Sequence, residues 1–222
     1  MTPVIFYRRF CERAISQFNQ GTKERTLKDT KLWEKSIVDT VTRLAKGGDV
    51  NGLSDLKKML EVHFDDVLVL NFHNRSEGGV HGSLFCDKRL DFKNTCKALR
   101  KMGELPHKNG GINFDYSDLA YAAMKVGMVT IKDDTRMKAV SKAAMTYHEV
   151  VLKSTPFKRI CAPRADLDKL LEISVRFEEK FFPDHIDDLK AHFETLATTK
   201  LCKIDTKTTL KEKSWRKFFK EV

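Results

Sequence analysis

The chain has 222 residues, and 41 Lys and Arg against 31 Asp and Glu leave a formal net charge of +10. Apolar residues make up 41% and include 15 Phe, while Gly and Pro number only 11 and 5, which excludes a collagen-like, low-complexity or wholly disordered chain. No run of about 18 apolar residues suggests a membrane span, and the charge of Met1-Thr2-Pro3-Val4-Ile5-Phe6-Tyr7-Arg8-Arg9 follows its apolar residues, the reverse of a secretory leader.

Residues 8–19 form the first expected helix, with Cys11, Ile15 and Phe18 on one side. After Asp29 and Thr30, Trp33, Ile37, Val41 and Leu44 recur at helical spacing until Gly47-Gly48. Leu53, Leu56, Met59 and Leu60 make a further apolar face, opened by Asn51 or Ser54. The pattern changes at Asp66-Val67-Leu68-Val69-Leu70-Asn71-Phe72-His73. This run and Val80-His81-Gly82-Ser83-Leu84-Phe85-Cys86 flank Ser76-Glu77-Gly78-Gly79, which predicts a β-hairpin over about 66–86. A lone hairpin is marginal in water, so it must lean on helices.

Asp91 opens a helix with Phe92, Cys96, Leu99 and Met102 on one side, ended by Gly103. Residues 104–114 read as a loop, with turn chemistry at Asn109-Gly110-Gly111. Asp115 and Asp118 resemble a capping box for a helix through Leu119, Ala122, Ala123 and Val126, closed by Gly127. Asp133 or Asp134 opens a long helix that stops before Pro156. Asp166 starts another, Pro183 breaks it, and Asp184 begins the next. A last amphipathic stretch sets Leu210, Trp215, Phe218 and Phe219 among lysines. The expected fold is mainly α: two helical lobes of eight to nine helices with one small hairpin. The loop at 104–114 divides an N-terminal lobe with arm and hairpin (1–106) from a C-terminal lobe with a basic tail (107–222).

Cys11, Cys86, Cys96, Cys161 and Cys202 are scattered, odd in number and lack a CxxC pair. Free thiols in a cytoplasmic protein are the expectation, since disulfide frameworks favour even sets in short secreted chains. His73, His81, Cys86 and Cys96 are zinc-ligand types, but no close pair fixes local geometry. His63-Phe64-Asp65-Asp66 with His73-Asn74 has the residue types of a metal-dependent nuclease. Cys86 with His81 or His73 has those of a nucleophile pair, with no recognisable oxyanion hole or orienting group. The Gly78-Gly79 turn lacks the Lys and Ser/Thr of a P-loop, and no GxGxxG follows a strand. No catalytic residue, metal or cofactor is expected. A hydrolase using the 63–86 region stays as an alternative.

The charge is segregated. Residues 88–101 carry six cations against Asp91 alone, and residues 200–222 carry eight against three acids. Residues 165–195 run the other way, nine acids against four cations. Polyanion binding needs Lys and Arg for phosphates and aromatic faces for bases. Arg8, Arg9 and Arg13 surround Tyr7 and Phe10. Lys88, Arg89 and Lys93 surround Phe92. Tyr116 and Tyr121 precede Arg136, Lys138 and Lys142, and Phe157 adjoins Lys158, Arg159 and Arg164. Tyr7, Phe92, Tyr116 and Tyr121 are the base-stacking candidates, with a place in the core as the alternative for each. Lys93, Lys97, Arg100 and Lys101 share one side of their helix. Their mutual repulsion is a strain that a polyanion relieves.

The order of elements is similar to nucleoproteins of segmented negative-strand RNA viruses of the bunyavirus type. There a hairpin of the first lobe precedes a basic amphipathic helix, as Val67–Cys86 precedes Leu90-Asp91-Phe92-Lys93-Asn94-Thr95-Cys96-Lys97-Ala98-Leu99-Arg100. Coat proteins of flexible filamentous plant viruses also resemble it, with a small hairpin on a helical core. The resemblance rests on pattern over about residues 1–160, so no residue role is carried over. It implies RNA held between two lobes, terminal arms exchanged between protomers, and a place in the host cytoplasm and virion. Val4, Ile5 and Phe6 at one end, and Trp215, Phe218 and Phe219 at the other, are the candidate docking residues for such a homo-oligomer. Each end can also close its own lobe, and the basic C-terminal helix can lie on acidic lipid. The expected function is non-enzymatic, sequence-independent binding of single-stranded RNA. The second reading is a helical interaction or regulatory module that docks acidic partners.

Overall fold

The structure is a computed structural model and describes residues 2–23, 25–47, 52–71, 82, 84–90, 92–102 and 114–222. It is mainly helical with a few short strands. Two compact units are each drawn from three stretches of chain. The first takes Met1–Ala14, Leu44–Gly110 and Asp168–Phe193; the second takes Ile15–Arg43, Gly111–Leu167 and Glu194–Val222. One change of unit falls at 110–111. The others fall inside helices, where no turn chemistry marks them.

In the first unit, β1 (Val4–Tyr7) pairs in parallel with β2 (Leu68–Asn71), Val4 opposite Leu68 and Tyr7 opposite Asn71. A parallel pair needs a long crossover, and the intervening α1 (Phe10–Lys23), α2 (Thr30–Glu34), α3 (Ile37–Ala45) and α4 (Gly52–Glu61) supply it. This departs from the expected hairpin over 66–86. The strand at 68–71 is present, but its partner is the N-terminal arm. Gly82 and Leu84–Phe85 are helical, and 72–81 lie outside the described residues. The apolar alternation of Val4–Tyr7 suits a strand, and only tertiary folding brings it to Leu68.

Downstream, α5 (Lys93–Met102) buries Cys96 and Leu99. A disulfide joins Cys96 to Cys86. A second disulfide, Cys161–Cys202, lies in the other unit, leaving Cys11 as the free cysteine, buried, its thiol pushed up to about 12 chiefly by burial. The expectation of scattered free thiols is therefore corrected. Pairing depends on which Cβ atoms meet in space, and their sequence spacing carries no trace of it.

In the second unit, α6 (Asp115–Lys125) packs on α7 (Asp134–Val150). The strands β3 (Arg159–Cys161) and β4 (Cys202–Ile204) form an antiparallel pair. They are separated in the chain by α8 (Arg164–Phe181) and α9 (Ile186–Thr199), which enter both units, with a 3-10 turn at Pro183–His185 between them. A short α10 (Thr206–Thr209) precedes α11 (Lys213–Glu221). The expected single helix over Trp33–Leu44 is instead two, because Lys35 is extended and Ser36 starts α3. The Ser36 hydroxyl donates to the Asp39 carboxylate at 2.6 Å and accepts from the Asp39 amide at 3.3 Å. That is a reciprocal cap, written in the sequence as Ser36-Ile37-Val38-Asp39. Asp133 caps α7, as expected. Asp115 and Asp118 do not form the expected box: α6 has no side-chain cap, and both carboxylates pair with arginines. Gly127 ends α6 with φ +74°, a left-handed position suited to glycine. No helix among the described residues is long and apolar enough to cross a membrane.

Candidate nucleic-acid interface

One cationic surface is built by α5. Its buried side carries Cys96 and Leu99, so the helical period turns Lys93, Lys97, Arg100 and Lys101 outward. With Lys88 they line a cavity of about 670 Å³, floored by Phe85, Leu90 and the Cys86–Cys96 disulfide. Asp87 is the acid on this wall among the described residues, and Arg89 grips it twice, from Nε at 2.9 Å and from Nη2 at 2.7 Å. Those bonds hold the Asp87 carboxyl below its ordinary range. Arg89 thus spends its charge locally. Phe92 is 44% exposed and meets Phe85 edge-on at 5.5 Å, leaving ring surface open next to α5.

The N-terminal cluster divides. Arg8 is exposed and lies 3.6 Å from Glu12, and Arg13 is exposed. Arg9 is corrected: at 3% exposure it is a core cation, with Nε 3.3 Å from Glu178 and Nη2 2.5 Å from Asp188. Tyr7 is also core. Its ring stacks on Phe177 and Phe182 at 5.5 and 5.4 Å. Burial and the neighbouring Glu178 push its hydroxyl above the usual phenol range. Neither residue can meet a nucleic acid without unfolding this centre.

In the second unit, Arg136, Lys138 and Lys142 lie exposed along α7. Arg136 donates to the Val222 carbonyl. Lys158 is exposed. Arg159 pairs with Asp115 at 2.5 Å, and Arg164 binds Glu194 through both nitrogens at 2.9 Å. The last two are therefore partly neutralised as phosphate contacts. Tyr116 is buried and leaves the list of stacking residues. His148 Nε2 donates to the Thr155 carbonyl at 2.7 Å, so in the neutral ring Nδ1 accepts from the Tyr116 hydroxyl at 2.9 Å. Tyr121 is half-buried and stacks on Trp33. The sequence placed Trp33 on a core face, and no spacing rule links it to Tyr121.

The expected docking residues pack at home. Ile5 is buried and Val4 half-buried within the β1–β2 pair, although Phe6 remains 43% exposed. Trp215, Phe218 and Phe219 are buried within the second unit, where Tyr147 stacks on Phe218 and meets Trp215 edge-on. Of the hydrolase candidates, His63 is exposed, while His73 and His81 lie outside the described residues. Cys86 is oxidised and offers no thiolate. Among the described residues no three His, Cys, Asp or Glu converge as metal ligands.

No family model matches this chain, and no curated protein or solved structure matches it either.

Proposed function

We propose that the protein binds single-stranded RNA along its phosphates, without sequence preference and without catalysing a reaction. The observation that supports this most is the α5 wall: Lys88, Lys93, Lys97, Arg100 and Lys101 around one cavity, in which Arg89 holds Asp87. Clustering of like charge costs free energy in the unliganded protein, and phosphates remove that cost while releasing counterions. Exposed Phe92 beside the wall adds a face for one base. The viral nucleocapsid reading, with copies of the chain coating RNA, extends this proposal through the resemblance in element order. The two disulfides withdraw the support that free thiols would lend to a cytoplasmic location.

The test is binding of a fluorescent single-stranded oligonucleotide across a salt series. Affinity should fall steeply with salt, and the triple change Lys93→Glu, Lys97→Glu and Arg100→Glu should weaken it about tenfold or more without unfolding the protein. Absent or salt-independent binding at about 50 mM salt ends the proposal. An absorbance ratio showing co-purified nucleic acid in a multimer would carry it to the nucleocapsid reading.

A further inference from the structure

A second cavity, of about 730 Å³, lies within the unit of Ile15–Arg43, Gly111–Leu167 and Glu194–Val222. That volume suits a small ligand. One wall is an aromatic stack. The Trp33 and Tyr121 rings lie parallel within 8°, with centroids 4.5 Å apart. Trp33 is fixed from two sides: its Nε1 donates to the Thr26 carbonyl at 3.0 Å, and the Arg25 guanidinium sits over its ring at 5.2 Å. Arg25 is itself held by the Asp118 carboxylate at 2.5 Å and the Lys35 carbonyl at 2.9 Å. Burial pushes the Asp118 carboxyl up to about 6 despite that partner. Tyr121 presents one face to Trp33, and among the described residues no ring or cation covers the other. Its hydroxyl makes no hydrogen bond within the described residues.

Charge lines the rest of the cavity. Lys125 stands at the end of α6, Lys203 on β4, Lys207 in α10 and Lys211 just beyond it. Of the acids lining it, Glu34 is exposed and forms no ion pair among the described residues, and the other two are committed. Asp118 holds Arg25, and Asp205 caps α10, accepting from the Thr208 amide at 3.0 Å and its hydroxyl at 2.6 Å. Lys125, Lys207 and Lys211 are exposed and form no ion pair among the described residues. Exposed Val126 and Ile160 supply apolar surface beside them.

A pre-ordered aromatic face beside uncommitted ammonium groups selects a ligand that is flat and aromatic at one end and anionic at the other. A lipid chain uses the apolar surface but not the stack. Inorganic phosphate uses the lysines but not the ring. A duplex keeps its base faces inside. We propose that this cavity is a nucleotide site, in which an unpaired base continues the Trp33–Tyr121 stack and its phosphate lies among Lys203, Lys207 and Lys211. The site deepens the single-strand reading and rests on it only for the strand form of the ligand. A free nucleotide offers the same chemistry.

The experiment is calorimetric titration of the full chain with adenosine 5′-monophosphate, adenosine and inorganic phosphate. The monophosphate should bind about tenfold or more tightly than either fragment. Tyr121→Ala and the pair Lys207→Glu with Lys211→Glu should each lower that affinity by about tenfold. Tyr121→Phe should keep it within about twofold, since the ring face is retained. The two lysines are exposed, so their exchange leaves the fold intact even where Tyr121→Ala does not. No binding of the monophosphate, or binding indifferent to the lysine pair and to Tyr121, overturns the site. Competition by an oligoadenylate identifies a strand unit, and its absence identifies a free nucleotide; both outcomes keep the site. The triple α5 variant separates the two proposals. It should lose oligonucleotide but retain the monophosphate, so the nucleotide site and the phosphate wall can fail independently.

Discussion

The two units hold their centres by opposite means. The first buries charge: Glu178 is 0% exposed and lies 3.3 Å from Arg9 Nε and 3.4 Å from Asn71 Nδ2. The second buries rings: Trp215 meets Tyr147, Phe157, Phe218 and Phe219, with centroids 5.4–6.0 Å apart. A buried ion pair returns little net stability, because desolvation takes several kcal/mol per ion, yet losing one partner strands the other. Ring contacts each contribute about 0.5–1.5 kcal/mol beyond their area, so they are lost piecemeal. The first centre should therefore fail when any one member is removed, and the second should weaken in steps.

The largest effect is expected at Glu178. Glu178→Leu removes the buried partner of Arg9 and leaves it the exposed Asp188 carboxylate, which should cost about 3 kcal/mol in urea unfolding. Adding Arg9→Met to Glu178→Leu should recover most of that loss, because neither charge then needs solvation. A single-variant cost under about 1 kcal/mol would show that Asp188 or water compensates Arg9, and the contrast between the units would collapse.

In the ring centre, Phe219→Leu keeps an apolar side chain and should cost about 1–2 kcal/mol. Combined with a second ring change, the losses should accumulate, with no recovery of the kind expected for Arg9 and Glu178. Recovery in a double-mutant cycle would mean that the rings also act as one indivisible set.

The smallest effect is expected at the α10 cap. Asp205→Ala removes two bonds to Thr208 and should cost about 1 kcal/mol. Those bonds hold the Asp205 carboxyl below its ordinary value. Its contribution should be complete above about pH 4 and fade as pH falls through the depressed value. The difference in Tm between wild type and Asp205→Ala should then be flat from pH 7 to about 5 and close in stronger acid. A difference that grew on acidification would contradict the cap.

Helix positions were the most legible part, because the signals that make a helix lie within a few residues of one another. Asp133 before α7 and Pro183 after α8 mark such ends by local chemistry. The Ser36–Asp39 cap was equally local, and the continuous apolar period from Trp33 to Leu44 concealed it. The cationic side of α5 was legible for the same reason. Cys96 and Leu99 face inward, and the helical period sets the four cations outward.

By itself, then, the sequence determined a mainly helical chain with a dense basic helix and no apolar run of about 18 residues. It could not tell which of its cations were spent. Arg8 and Arg9 are neighbours in the chain, yet one is exposed and the other is locked beneath Glu178. The partner of β2, both disulfides, and the meeting of Trp33 with Tyr121 were likewise decided only by tertiary structure. The physical reason is common to all of these. A helix closes its hydrogen bonds within four residues, whereas a strand pair, a disulfide or a ring stack depends on distant faces brought together by packing.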